Sequence, residues 1–157
     1  MVKPYLAPLN PEILFPEPLV RALSLERTFW EKATLVHVEC MRPRLRDTTR
    51  MSRHWYDLFR MSSDIEQFTS RQMNQLLASV VRHKKAFFNY SFAAYDQCLS
   101  GGLRLVPGGE LQRALSKDFA EMQDAGMFYQ DPPSFSTILE HLQRLEKRLN
   151  EMFQTYR

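Results

Sequence analysis

The chain has 157 residues, 44% of them hydrophobic and 25% charged, with 5 Gly, 9 Pro and 2 Cys, the composition of one globular domain able to bury a core. The apolar content is too high for a disordered chain, two cysteines are too few for a disulfide-stapled scaffold, and no stretch reaches the roughly 18 apolar residues of a membrane span. A net charge of +3 favours anionic partners and is unevenly spread: six arginines (42, 44, 46, 50, 53 and 60) against Asp47 and Asp57 form one basic stretch, and Arg82, His83, Lys84 and Lys85 form a second.

Residues 1–25, with Pro4, Pro8, Pro11, Pro16 and Pro18, disfavour helix and are expected to be an extended or irregular lead-in. The start lacks the basic residues and apolar run of a secretory signal, so the expected location is the cytoplasm, with Cys40 and Cys98 reduced. Residues 26–157 read as a helical domain. Ser24 caps a first helix that carries Glu26 in its first turn and stops at Pro43. Phe29, Ala33, Val36 and Cys40 share one face, and Leu35 and Val38 widen the apolar surface, so this helix should be largely buried.

Ser52 is expected to cap a second helix with Trp55, Leu58 and Phe59 facing inwards. A third helix, from a cap at Ser70, places Met73, Leu76, Leu77, Val80 and Val81 at helical spacing and continues the stripe to Phe87 and Phe88, which the register assigns to the core. Gly101-Gly102 and Pro107-Gly108-Gly109 bracket Leu103-Arg104-Leu105-Val106, which could be extended. Leu111, Leu115, Phe119 and Met122 define a fourth helix ending near Gly126. After Asp131-Pro132-Pro133, Ile138, Leu142, Leu145, Leu149, Met152 and Tyr156 alternate spacings of four and three, the seam of a last helix. The fold class is therefore mainly α, about five helices in a bundle-like domain.

Few residues invite chemistry. Lys32, in the middle of a mostly apolar helix, either snorkels to water or pairs along its own helix with Thr28 and Glu39 beside it, or else serves as a point charge for a phosphate. Asp57 has Arg53 four residues before it and Arg60 three after it, which suits a helix-surface ion pair and equally a carboxylate near a reacting hydroxyl or metal-bound nucleotide. Periodicity does not choose between these readings. The four histidines (37, 54, 83 and 141) lie far apart, no His or Cys spacing suits zinc, and no Walker loop, Gly-x-Ser-x-Gly or dinucleotide fingerprint is present.

The stretch from Leu25 to His37 (LERTFWEKATLVH), followed by Ser52-Arg53-His54-Trp55-Tyr56-Asp57-Leu58, resembles the motif pair of the AbiEii/AbiGii-type nucleotidyltransferase toxins of abortive-infection and toxin–antitoxin systems. Residues 81–88 (VRHKKAFF), 103–107 (LRLVP) and 132–135 (PPSF) are similar to that family's later segments in the same order. The resemblance implies a transferase that moves nucleotides from a nucleoside triphosphate (NTP), with Mg2+, onto an RNA acceptor, the tRNA 3′ end in characterised relatives. It implies that Lys32 meets the triphosphate and that Asp57 completes the active site, with Trp55 standing where the family often has Tyr. Arg27, Arg53, His54, Lys84 and Lys85 are the matching candidates for substrate contacts.

Family members begin with a nucleotidyltransferase core that carries a Gly-Ser or Gly-Thr turn and an Asp-x-Asp metal pair, and neither motif stands in this sequence. Asp64-Ile65-Glu66 imitates the acidic pair but follows the second motif and has no such turn before it, so no metal ligand is expected among these residues. The chain thus reads as the C-terminal helical half of such a toxin, of doubtful activity alone. Its expected partners are an NTP, tRNA, a separate N-terminal core, a cognate antitoxin and a second copy of the chain, with no membrane. The alternative is a non-catalytic helical module that binds nucleic acid or regulates through its basic residues.

Overall fold

The computed structural model describes residues 7–9, 11–16, 18–63 and 71–155. Among them are five α-helices, α1 (Leu25–Met41), α2 (Arg53–Met61), α3 (Arg71–Phe87), α4 (Gly109–Asp124) and α5 (Phe135–Thr155), and no strand, so the fold is mainly α. The expected Ser70 cap, the acidic Asp64-Ile65-Glu66 run and Tyr156 lie outside the described residues. None of the described helices is long and apolar enough to cross a membrane.

The first helix starts where the Ser24 hydroxyl accepts the Arg27 N–H at 3.2 Å, with Glu26 at the positive end of the helix dipole. It stops because Pro43 forces the residue before it out of the helical region: Arg42 is extended at φ −65° and ψ 127°. Phe29, Trp30, Ala33, Val36 and His37 are all fully buried, which makes α1 the central element, packed against both α2 and α3. The last helix packs on α2 and buries Ile138, Leu142, Leu145 and Leu149 completely. Phe135, Leu139 and Phe153 are also buried, so its apolar stripe is wider than a coiled-coil seam.

Two expectations change. Ser52 precedes α2, but its hydroxyl makes no cap bond and lies against the Met122 sulfur at 3.4 Å. The first turn is closed instead by the Ser52 carbonyl, which accepts from Trp55 and Tyr56, while Asp118 of α4 accepts the Arg50 and Ser52 N–H groups at 2.6 and 2.8 Å. Phe87 and Phe88 are not core residues: Phe87 is 72% exposed, and residues 85–91 are all exposed. The register of α3 is right, but its last turn has run past the layer that covers Leu77 and Val80.

Residues 103–106 are extended, as expected, and are not part of a strand. Leu103 and Leu105 point inwards and Arg104 outwards, as on a pleat. The backbone partners are side chains: Asn150 accepts the Leu103 N–H and donates to its carbonyl, Glu146 accepts the Leu105 and Val106 N–H groups, and His37 Nδ1 accepts the Arg104 N–H. One polar edge of α5 and one imidazole of α1 thus stand in for a sheet neighbour. The segment in turn receives the buried Trp55 indole N–H on the Leu105 carbonyl at 2.9 Å, which fixes α2 in the core.

Candidate functional site

The two helices that carry the sequence motifs cross so that Lys32 of α1 meets Asp57 of α2, Nζ to Oδ2 at 2.7 Å. Lys32 Nζ also lies 3.3 Å from His54 Nδ1. The intrahelical partners considered for Lys32 are engaged elsewhere, since the Thr28 hydroxyl donates to the Ser24 carbonyl and Glu39 holds two arginines. Asp57 likewise pairs across helices with Lys32, in place of the surface pair with Arg53 or Arg60. The side chains of Lys32 and Asp57 remain 26% and 39% exposed, so the pair sits at the surface end of the α1/α2 contact and not in the core.

An ammonium group only donates, so His54 Nδ1 must accept from Lys32, and the ring proton is on Nε2. Burial, then the Lys32 and Arg53 charges, push the His54 pKa down to about 4, and the imidazole is neutral at pH 7. The site therefore offers one ammonium, one carboxylate and one neutral imidazole with a free Nε2–H.

The remaining candidates divide. Glu31 bridges Arg27 at 3.4 Å and Lys84 at 2.7 Å, which brings these two cations to one side of α1. Lys85 pairs with Asp96 instead, and Arg53 is exposed at the start of α2. The four histidines serve separate surroundings: His37 bonds backbone groups at residues 94 and 104, and His141 meets the Ser62 hydroxyl at 2.8 Å.

A cluster not foreseen from the sequence lies two turns further along α1. Glu39, only 5% exposed, receives Arg42 through Nε at 2.8 Å and Nη2 at 3.0 Å, and Arg46 through Nε at 3.1 Å and Nη2 at 2.9 Å. Its sequence signal was a glutamate in a helix read as largely buried, with Arg42 three residues later. Two cavities meet at this clamp. One, of about 250 Å³, runs beneath Arg44 and Thr48; the other, of about 210 Å³, opens between α1 and the Phe88–Tyr95 segment.

The Mg2+ implied by the resemblance does not fit these residues. Among the described residues no group of three His, Cys, Asp or Glu could hold a metal ion, and the Asp57 carboxylate already faces an ammonium at 2.7 Å. Both cysteines are free thiols whose pKa values burial raises, so neither is a thiolate nucleophile at neutral pH.

No curated protein and no solved structure matches this chain. A family model does: the one described as nucleotidyl transferase AbiEii toxin, type IV toxin–antitoxin system, matches residues 1–141. Both motif helices lie inside the match. The chain belongs to the AbiEii nucleotidyl transferase toxin family of type IV toxin–antitoxin systems.

Proposed function

We propose that this chain supplies the nucleotide-handling helices of a nucleotidyl transferase toxin that modifies an RNA acceptor, the 3′ end of tRNA. The observation that carries the reading is the Lys32–Asp57 contact at 2.7 Å, because it joins two residues with 24 positions between them, one from each motif, into one polar site at the surface. Lys32 is the charge for the triphosphate, Asp57 holds it in place, and the neutral His54 offers its Nε2–H to a phosphate or ribose oxygen. Arg27 and Lys84, linked through Glu31, extend the positive edge beside it.

The metal-holding carboxylates belong, on this reading, to a nucleotidyltransferase core that docks on these helices. The exposed Leu14, Leu19, Val20 and Leu23 of the lead-in offer that core an apolar surface to cover.

Binding of a fluorescent NTP to the purified chain tests the reading, beside Lys32→Met and Asp57→Asn. Wild-type binding that Lys32→Met abolishes is the expected result. The fold control is thermal unfolding, which should move little, because a partly exposed pair contributes about 0–1 kcal/mol. Equal binding by wild type and Lys32→Met, or binding by neither, would remove Lys32 from the triphosphate. Incorporation of labelled nucleotide into total tRNA, measured with and without a core carrying the Asp-x-Asp pair, then tests the transfer and the acceptor.

A further inference from the structure

We propose that the groove between α1 and the Phe88–Tyr95 segment is a stacking subsite for an unpaired nucleotide of a polynucleotide strand. The identification of that strand with the acceptor rests on the transfer reading above; the groove's preference for single-stranded RNA does not.

Two aromatic rings stand at this groove without a core to cover them. Phe88 is 45% exposed and Tyr90 48% exposed. Tyr90 is stacked on Phe92, with ring centres 5.4 Å apart and planes 12° apart, so its ring is backed on one side and held in a fixed plane. The Arg42 guanidinium sits 4.8 Å from the Phe92 centre and 5.7 Å from that of Tyr90, and the Lys84 ammonium sits 5.3 Å from the Phe88 centre. Leu35 and Val38 of α1 make the floor. Exposed rings beside fixed cations are what a base and its phosphate require: the ring face takes the base and the cation takes the backbone.

The cations are held for this. One buried carboxylate, Glu39, orients two guanidiniums and neutralises one of the two charges. Arg42 and Arg46 each turn only Nε and Nη2 towards Glu39, which leaves Nη1 of each guanidinium for a ligand. The volume of about 210 Å³ is below the roughly 300 Å³ of a site that encloses a whole small molecule, so the groove takes one planar group and leaves the rest of the strand in solvent. Glu39 is seven residues from Lys32, two turns on the same face of α1 and about 10 Å along its axis. A strand seated on Tyr90 therefore runs along the helix face that carries the nucleotide site. A duplex offers no free base face and gains only the charge contacts.

The test is fluorescence anisotropy with a labelled oligouridine and, for comparison, a blunt-ended RNA duplex of the same length, across a potassium chloride series. The wild type should prefer the oligouridine. Tyr90→Ala should weaken that binding about tenfold, the effect of losing one base–aromatic stack, and Tyr90→Trp should restore it. Arg46→Ala should flatten the salt dependence by about one phosphate contact, with Arg42 still on Glu39. Equal affinity for oligouridine and duplex, or an unchanged affinity in Tyr90→Ala, overturns the proposal. So does loss in Arg46→Ala without loss in Tyr90→Ala, the pattern of an acidic peptide site. A wild type that binds oligouridine through Tyr90 but binds no NTP overturns the transfer reading and leaves the groove standing; one that binds NTP through Lys32 but holds RNA independently of Tyr90 does the reverse.

Discussion

Asp118 is the residue on which the start of α2 depends, and its replacement by alanine gives the sharpest stability test. The carboxylate accepts the Arg50 N–H at 2.6 Å and the Ser52 N–H at 2.8 Å, and it ties α4 to a turn in which Arg50 holds a left-handed φ of 58°. A hydrogen bond to a charged acceptor contributes about 1.5–3 kcal/mol net, and the larger part is lost where the orphaned donor stays dry. Ser52 is fully buried and its N–H would stay dry, whereas the exposed Arg50 recovers water. Asp118→Ala should therefore cost about 3 kcal/mol, and Asp118→Asn, which keeps one oxygen acceptor, about half of that. In a domain of this size about 3 kcal/mol lowers Tm by roughly 10 °C. Thermal unfolding followed by far-UV circular dichroism measures it. A shift of under about 2 °C for alanine, or an asparagine variant as damaged as alanine, would show that Asp118 does not hold the turn.

Phe87→Ser should leave stability within about 0.5 kcal/mol in urea unfolding, where a core phenylalanine would cost about 3–5 kcal/mol. Gly101→Ala should destabilise by about 1–2 kcal/mol, because φ is +82° and the new Cβ would meet the Asn150 carbonyl oxygen at 2.9 Å, a backbone atom that has no rotamer in which to retreat. His54 is held near pKa 4 when folded against an ordinary 6.5, so the unfolded chain binds the extra proton between those values. Its contribution to stability is complete above pH 6.5 and is lost as pH falls towards 4, and Tm measured over that range should fall less steeply in His54→Asn. His37 and His141 shift in the same direction and leave a residual slope in the variant.

The central and last helices were legible because two independent signals coincide in each. In α1 the Ser24 cap and Pro43 bound an apolar run, and in α5 the spacing of four and three repeats through Leu149. Phe87 and Phe88 show what periodicity lacks: it states which face a residue shares and not whether a neighbour covers that face. Residues 103–106 show the same gap, since their alternation is plain but their partners are Asn150 and Glu146, forty or more positions away. In the site, Lys32 and Asp57 were each visible as a charge needing a reason, yet their pairing is a product of helix crossing and was reachable only through the motif resemblance. Glu39 was assigned to the side of Lys32 because both lie on one helix face. The turn at Pro43 decides otherwise, by folding Arg46 back onto the carboxylate that Arg42 already holds.

The two ionic clusters of α1 differ in a way that fits their proposed uses. Lys32 and Asp57 meet where solvent reaches both, so separating them costs about 0–1 kcal/mol, and a phosphate that takes the ammonium has little to overcome. Glu39 is buried, and withdrawing either arginine would leave a dry carboxylate short of a partner, a far larger cost. A ligand can thus recruit Lys32 by exchange but must accept Arg42 and Arg46 where they stand. An exchangeable cation suits a substrate that arrives, reacts and leaves, and a fixed pair suits a strand that has only to be aligned. The seven residues between Lys32 and Glu39 put both on a single rigid helix, so alignment at one is registered at the other without any movement of the fold.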